Sequence, residues 1–311
     1  MATASTPFPW RAYLAPRYWR TWVALGMLRI AAMLPFRLQL AVGRIAGRFA
    51  YHLMPQRRAV AAVNLELCFP ELGAHARRRL LRAHFESLGI GLVEVGCSWW
   101  TPDEVVRARV AVSGLEYLEQ AKADGVPAIL LSAHFTTLEI GGHVLSQLAP
   151  ISVMYRRNDN ALLEELIQRH RRRRVASAIH RDSVKDMLRA LKRGEAVWYA
   201  PDQNYRRSNS ALVPFFGHPT PTNTATSRLA QISGARVIPF AVARLPGVQG
   251  YQLTLHPPLA DFPTGDAFAD TIRVNGILEE QVRAVPEQYL WIHRRFKVPV
   301  GTGGDPYEDA S

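Results

Sequence analysis

The sequence predicts an α/β fold in which a mixed, mostly parallel sheet is covered by helices and follows a membrane-associated helical segment. Short apolar runs such as Ala128–Ala133 and Ala196–Ala200 are typical of strands that are buried on both faces. These runs alternate with longer amphipathic runs, which indicates strands connected by helices. The 311 residues are enough for one such domain with an N-terminal addition.

The N-terminal segment is apolar and aromatic, but it contains no standard transmembrane helix. No uncharged apolar run reaches the roughly 18 residues that a spanning helix needs. The longest candidate, Thr21–Phe36, contains Arg29 and the helix-disturbing Pro35. We expect it to span the membrane marginally or to lie at the interface, where tryptophan and tyrosine are favoured. A secretory signal is less favoured, because Arg29 splits the apolar run and no clear cleavage site follows it.

The next segment, Phe36–Leu53, has the pattern of an amphipathic helix. At 100° per residue, Arg37, Arg44 and Arg48 lie within roughly 40° of one another and form one basic stripe. Apolar side chains lie opposite and beside this stripe, as in helices that lie among lipid headgroups. An ordinary surface helix packed on the core is the alternative interpretation.

The remaining elements follow from periodicity. We expect a helix at Leu80–Val93, and then further strands and helices in alternation at Leu138–Leu148 (helix), Ile151–Tyr155 (strand), Val184–Lys192 (helix), Val237–Arg244 (strand), Tyr251–His256 (strand) and Ala269–Ala284 (helix). The glycine-rich and acidic C-terminal residues predict disorder. The chain therefore divides into membrane-anchoring helices at 1–60, an α/β domain at 61–298 and a disordered tail at 299–311.

Charge and cysteine content limit the class of protein. The formal net charge of +12 favours association with a polyanion, which could be nucleic acid, anionic lipid or an acidic protein. The two cysteines, Cys68 and Cys97, do not form a C-x-x-C pair, so neither a disulfide framework nor a cysteine-rich zinc site is favoured. A reducing, cytosolic setting fits this content.

His134 and Glu139 are the candidate catalytic residues. His134 directly follows the predicted strand at 128–133, and Glu139 lies near the start of the next helix. The carboxyl ends of strands and the adjoining helix N-termini are where α/β folds build sites, because backbone N–H groups there can hold negative charge. A histidine oriented by a carboxylate is a general base for chemistry near neutral pH, such as acyl transfer to a hydroxyl.

Two other kinds of site are weaker interpretations of the same residues. Glu139 and His143 are four residues apart on one helix face and His134 is close, which could suit a metal ion, but the H-E-x-x-H spacing of zinc enzymes is absent. We therefore expect no metal. The chain also contains no G-x-S-x-G, which argues against a serine hydrolase.

Several motifs resemble those of a known family. The string SAHFTTLEIGG at 132–142 resembles the first motif of the glycerolipid acyltransferase superfamily, and more closely that of the lipid A biosynthesis late acyltransferases, in particular the lauroyltransferase branch. The resemblance extends over roughly residues 15–298, through NLELCFPEL (64–72), MYRRNDN (154–160), LKRGEAVWYAPDQNY (191–205), VPFFG (213–217) and PEQYLWIHRRFK (286–297).

This resemblance implies a reaction and roles for the residues. The reaction would be transfer of an acyl chain from acyl carrier protein to a hydroxyl on the hydroxyacyl chain of the Kdo-bearing lipid A precursor, without an acyl-enzyme or a cofactor. His134 would deprotonate the hydroxyl and Glu139 would fix its tautomer. Arg156 would hold phosphate or the reacting carbonyl, and Asp202 and Gln203, at a strand end, would belong to the substrate site. Capping or turn formation is the alternative role for Asp202.

Two basic runs have a plain and a functional interpretation. The run at 169–174 is either a solvated helix end or a surface for lipid phosphates or acyl carrier protein, and no nucleic-acid motif accompanies it. Arg294 and Arg295 are a surface patch by default and a headgroup contact by the resemblance.

The expected location is the bacterial inner membrane, with the catalytic domain on the cytoplasmic side. The alternatives are an acyltransferase for a glycerophospholipid or another glycolipid, and a non-catalytic basic peripheral membrane protein.

Overall fold

The computed structural model describes residues 8–180, 183–206, 210–298 and 304–308. Two short 3₁₀ helices, Trp10–Tyr13 and Pro16–Tyr18, come first. Four α-helices follow, and they are α1 (Trp19–Met33), α2 (Phe36–Leu53), α3 (Pro55–Cys68) and α4 (Ala74–Trp100). The predicted helix at 80–93 is thus longer at both ends. The predicted domain boundary after residue 60 lies inside α3.

Strands and helices alternate in the rest of the chain. In order, these elements are α5 (Asp103–Arg107), β1 (Val110–Ser113), α6 (Leu115–Ala123), β2 (Ala128–Leu131), α7 (Leu138–Leu148), β3 (Ile151–Tyr155), α8 (Ala161–Arg174), β4 (Ser177–His180), α9 (Val184–Lys192), β5 (Ala196–Tyr199), β6 (Ser210–Phe215), β7 (His218–Asn223), α10 (Ala225–Ser233), β8 (Arg236–Arg244), β9 (Tyr251–Leu255) and α11 (Ala267–Ala284). Four predicted elements, at 36–53, 138–148, 151–155 and 184–192, have the expected bounds.

Seven strands form one sheet in the order β1-β9-β8-β2-β5-β3-β4. Every neighbouring pair is parallel except β8 and β9, which confirms the mixed, mostly parallel sheet. Strands β6 and β7 form a separate antiparallel pair. Successive side chains of β2 enter different cores: Ile129 and Leu131 pack into one, and Leu130 into the other. Helices therefore cover both faces of the sheet, as the apolar strands predicted.

Helix α2 approaches α4 closely through glycine. A Cβ atom at Gly47 would lie 2.1 Å from the carbonyl oxygen of Phe85, and one at Gly89 would lie 2.1 Å from that of Gly43. Only glycine allows the two backbones to come this near. One face of α2 is therefore packed on the protein core, as the alternative interpretation proposed.

The opposite face of α2 remains exposed although it is apolar. Its exposed residues recur at helical spacing and are Leu38, Val42, Ile45, Phe49 and Leu53. Helix α1 shows a second exposed apolar row, made of Trp19, Val23, Met27, Ile30 and Met33. Large exposed apolar patches mark surfaces that bind other molecules or membranes. Among the described residues, no helix combines the length and hydropathy needed to cross a bilayer.

The C-terminal tail is ordered where it is described, which corrects part of the predicted disorder. Tyr307 is completely buried, and its hydroxyl donates a hydrogen bond to the Asn64 side chain. The same hydroxyl accepts a hydrogen bond from the backbone amide of Phe296. One buried aromatic side chain with two hydrogen bonds is enough to fix 304–308. The other residues of the predicted tail, 299–303 and 309–311, lie outside the described part of the chain.

A buried ion pair joins α4 to the sheet. The Arg244 guanidinium makes two hydrogen bonds to the Glu94 carboxylate, at 2.7 and 2.8 Å, and a third at 3.0 Å to Ser87. The Tyr251 hydroxyl donates to the same carboxylate at 2.7 Å. Because both charges are buried and well bonded, removal of either one leaves the other without compensation.

Glu94→Ala should therefore lower the free energy of unfolding by about 3–5 kcal/mol, measured by chemical denaturation in detergent. Glu86→Ala on the same helix breaks the exposed pair with Arg48 and should cost less than about 1 kcal/mol. Equal losses for the two variants would contradict the structural role of the buried pair.

Candidate active site

His134 lies in the loop after β2, as predicted, and the C-terminal segment holds this loop in place. The His134 carbonyl accepts a hydrogen bond from the amide of Leu290 at 3.0 Å, and the Thr136 amide donates to the carbonyl of Gln288 at 2.8 Å. The strand-end position, rather than a position on a helix, leaves the imidazole beside the carboxyl ends of β2 and β5.

The carboxylate that orients His134 is Asp202, not Glu139. The His134 ring nitrogen Nδ1 lies 2.6 Å from Asp202 Oδ1, and the backbone amide of His134 donates to Oδ2 at 3.0 Å. Asp202 follows β5, which is the parallel neighbour of β2, so the two residues meet at one edge of the sheet. Since Nδ1–H donates to a carboxylate, Nε2 is the acceptor and is available as a base.

Mutual stabilisation fixes the charge of this pair. Burial by itself lowers the pKa of His134, but the Asp202 charge and hydrogen bond outweigh it, so the net shift is upward. Burial raises the pKa of Asp202, and the interactions with His134, together with the Arg295 charge, reverse this and lower it to about 2. Asp202 is therefore a carboxylate at neutral pH, and it is ready to stabilise a protonated His134.

Glu139 has a different environment from the one predicted. No hydrogen bond or ion pair joins it to His134 within the described residues, where Asp202 holds the ring instead, and a catalytic role of Glu139 stays a prediction. Burial raises the pKa of Glu139, and the positive charges of Arg171 and Arg174 oppose that effect. Glu139 is the second residue of α7, and the two arginines that act on it electrostatically lie on α8.

A cleft of about 1490 Å³ contains both His134 and Glu139. This volume exceeds the roughly 300–1,000 Å³ of most small-molecule sites. Helices α1, α4, α7 and α8 supply an apolar wall that consists of Leu25, Leu28, Leu92, Val95, Trp99, Leu138, Leu163 and Ile167. Basic residues line it as well, namely Arg57, Arg156, Arg171, Arg174, Arg206, Arg294 and Lys297. The cleft thus offers surfaces for both a hydrocarbon chain and an anion.

Three of the predicted substrate residues line this cleft, and one does not. Arg156, Gln203 and Arg294 are on its walls. The Arg156 side chain is well exposed and lies 3.7 Å from the carboxylate of Asp159. Asp202 is only 1% exposed and contacts His134, so its predicted place in the substrate site needs correction. A carboxylate that both orients and neutralises the base cannot also be a free binding group.

Sequence reasoning missed two further groups beside the pair, and both belong to the IHRRFK string. His293 lines the cleft, and its Nε2 accepts a hydrogen bond from the Asn204 amide at 3.1 Å. Burial lowers the pKa of His293 to about 4, so the ring is neutral with its proton on Nδ1. Arg295, predicted on the surface, is buried and donates to the Pro221 carbonyl and to Thr222. Sequence patterns place arginine on the surface by default, so they could not predict the burial of Arg295.

The backbone amides of residues 134–136 already donate hydrogen bonds within the protein. The His134 amide donates to Asp202, the Phe135 amide to the Ala133 carbonyl and the Thr136 amide to Gln288. Stabilisation of negative charge in the cleft therefore falls chiefly to cationic side chains. Arg171 and Arg174 are suited to this, because they lie on the cleft wall and act on Glu139.

The residues weighed as metal ligands are not arranged as a metal site. His143 Nε2 lies 2.8 Å from Asp103 Oδ1, and Arg174 donates to the same oxygen. Burial, together with the charge of Arg174, lowers the pKa of His143 to about 4. Within the ranges that the structure describes, no three His, Cys, Asp or Glu side chains come together as a metal site would require.

Known proteins resemble this chain over most of its length. The family model for "Bacterial lipid A biosynthesis acyltransferase" matches residues 7–298. The chain is 39% identical to the lipid A biosynthesis lauroyltransferase of Escherichia coli K12 over 92% of its own length and 94% of the relative's. It is also 39% identical to the palmitoleoyltransferase of that strain, over 94% and 95% of the two lengths. An acyltransferase of lipid A biosynthesis from Haemophilus influenzae is 35% identical over 92% of each chain.

Replacement of either His134 or Asp202 should abolish most of the catalytic activity while the protein remains folded. General-base catalysis contributes about 10²–10⁴ in rate, so His134→Ala should lose at least this factor. Asp202→Asn should lose a similar factor, and the double variant should be scarcely worse, because the two groups act as a unit. Rates would be measured on detergent-purified protein, with folding followed by circular dichroism. Retention of more than a tenth of the rate by folded His134→Ala would exclude it as the base.

The pH dependence of the rate should report the raised pKa of His134. The base must be deprotonated, so kcat/KM should fall as the pH drops through a value above the ordinary 6.5 of histidine. Asp202→Asn removes the negative charge that raises this pKa, and the acid limb of the residual activity should therefore move to lower pH. An unchanged limb would show that another group controls it.

Proposed function

The chain belongs to the bacterial lipid A biosynthesis acyltransferase family, and we propose that it transfers a fatty acyl chain from acyl carrier protein to the Kdo-bearing lipid A precursor. The acceptor in this proposal is the hydroxyl of a hydroxyacyl chain on the precursor. The observation that carries it is the position of His134, with a fixed tautomer, in a cleft whose walls are apolar on one part and basic on another.

The geometry supports direct attack of the acceptor hydroxyl on the thioester carbonyl carbon, without an acyl-enzyme. The acceptor hydroxyl gives its proton to His134 Nε2 while its oxygen bonds to the thioester carbonyl carbon. Asp202 stabilises the imidazolium that forms, and the oxyanion lies near the cationic groups of the cleft. When the oxyanion collapses, the C–S bond breaks and the thiolate takes the proton from His134. The products are an ester and the free carrier thiol, and the enzyme is unchanged.

The walls of the cleft suggest how the two substrates divide it. The acyl chain lies along the apolar wall between α1, α4, α7 and α8. Phosphates of the acceptor bind the basic part of the cleft, where Arg156 and Arg294 are the proposed charged contacts and the Gln203 amide is a proposed hydrogen-bond donor. Glu139 interacts electrostatically with Arg171 and Arg174, and we assign it the role of positioning these two arginines.

The proposal also concerns the length of the transferred acyl chain and the kind of lipid that accepts it. The lauroyltransferase and the palmitoleoyltransferase are equally identical to the chain, so a lauroyl-like donor rests on the motif resemblance alone. Acceptance of a lysoglycerophospholipid in place of the Kdo-lipid would favour the related glycerophospholipid activity. Because the family consists of acyltransferases, the non-catalytic alternative is not retained.

Membrane association follows from the exposed apolar rows of α1 and α2. Each row is flanked by arginines, as in helices that lie on an anionic lipid surface. Arg37 and Arg48 of α2 are exposed beside its row. We place the protein on the cytoplasmic side of the inner membrane, where acyl carrier protein and the lipid acceptor are both within reach.

Purified protein should acylate the Kdo-lipid precursor with acyl carrier protein thioesters but not a lysoglycerophospholipid, measured by product mass. Arg171→Ala should lower kcat/KM at least tenfold, because this arginine borders the cleft and acts on Glu139. Arg172→Ala is the matched control, since Arg172 is exposed on the same helix and does not line the cleft. Equal losses would indicate bulk electrostatics, and acylation of the lysolipid alone would replace the proposed acceptor.

A further inference from the structure

A second cavity, of about 320 Å³, lies at the corner between α1 and α2. It is bordered by the end of α1, the start of α2 and the segment that follows α4. None of the residues that line it also lines the catalytic cleft. The proposed acyl transfer does not involve this cavity, and the polar groups on its wall therefore have no role in that reaction.

Two arginines on its wall lack carboxylate partners. Arg29 lies over the ring of Trp100 at 5.4 Å, and Arg109 lies over that of Phe36 at 4.7 Å. Neither forms an ion pair with an acidic side chain in the described ranges of the chain. Two guanidinium groups on one small cavity without a counter-charge favour the binding of an anion.

Neutral polar groups complete the wall. Gln39 donates to the carbonyls of Ala32 and Leu34, both at 2.9 Å, and these bonds turn its Oε1 toward Arg109, which donates to it at 3.1 Å. Arg109 is therefore held by an uncharged partner that leaves its charge unneutralised. Thr101 also lines the cavity, and its buried hydroxyl lies within hydrogen-bonding reach of the Cys97 thiol.

The surroundings of the cavity indicate where the anion comes from. Met33 and Val105 are exposed apolar residues on its wall. The two apolar rows of α1 and α2 end at this corner, with Met33 on one side and Leu38 on the other. An anion with hydrocarbon tails can therefore place its charge in the cavity and its tails along the rows, whereas a free anion would gain nothing from the apolar surface.

We propose that the Arg29–Arg109 cavity binds the phosphate of an anionic membrane glycerophospholipid. This inference rests on the proposed membrane contact of α1 and α2, and it adds a specific lipid site to it. Helix α1 also supplies Leu25 and Leu28 to the catalytic cleft. A lipid held at the corner would thus fix the helix that borders the acyl chain.

The test is flotation of the full-length protein with vesicles of phosphatidylcholine, either alone or mixed with phosphatidylglycerol. The variant Arg29→Gln/Arg109→Gln should lose more than the roughly thirtyfold of phosphatidylglycerol-dependent affinity that two basic residues contribute by charge alone, because both guanidinium groups also bind one phosphate directly. The charge-matched control Arg37→Gln/Arg44→Gln lies on α2 outside the cavity and should lose no more than this roughly thirtyfold contribution of charge. Arg29→Gln alone is a second variant, because Arg29 is exposed and its replacement should leave the fold intact.

Each outcome separates the lipid site from the broader proposals. Equal losses in the two double variants, with both folded by circular dichroism, would overturn the site in favour of bulk charge. Relief of the difference by inorganic phosphate at the same concentration as the lipid would identify a free phosphate as the occupant. Ile45→Gln/Phe49→Gln should weaken binding to both vesicle types. Wild-type protein that binds neither type would overturn membrane contact and the lipid site together, while the acylation assay would still test the catalytic proposal.

Discussion

A buried carboxylate sets the geometry of the catalytic edge. Asp202 is almost fully removed from water, and an uncompensated charge there would cost several kcal/mol. Its compensation comes from the amide and the ring of His134, with the positive charge of Arg295 nearby. The requirement to satisfy one charge therefore joins the ends of β2 and β5 and also determines which nitrogen of the base remains free.

Sequence reasoning located His134 but not its partner, and the reason is topological. The spacing of His134 and Glu139 indicated a local pair, because five residues across a loop can bring two side chains together. Asp202 is 68 residues away, and it becomes the neighbour only because β5 pairs directly with β2. Strand order is not encoded in local periodicity. The sequence therefore predicted the position of His134 at this edge of the sheet, whereas the carboxylate that orients its ring could be identified only from the strand order.

The fold was predictable where burial leaves a periodic signal. Helices α2 and α7 and strand β3 have the bounds that their apolar patterns indicated. The pair β6–β7 was missed, because the β7 sequence, with two prolines and two threonines, has no apolar alternation. The tail was misread for the opposite reason, since its polar composition suggested disorder while a single tyrosine, Tyr307, anchors it through a long-range contact with Asn64. Amino-acid composition carries no information about individual long-range contacts, so it could not predict that this segment is ordered.

Helix α4 links α1 and α2, with their exposed apolar rows, to the sheet and the cleft. One side of it receives α2 at glycines where any added Cβ atom would clash with the backbone of the other helix. Another side carries Glu94, which binds Arg244 of the sheet, and a third contributes Leu92, Val95 and Trp99 to the cleft. Rigid packing transmits displacement rather than absorbing it. A displacement of α1 or α2 must therefore be transmitted to the apolar wall of the cleft, because both helices pack on α4.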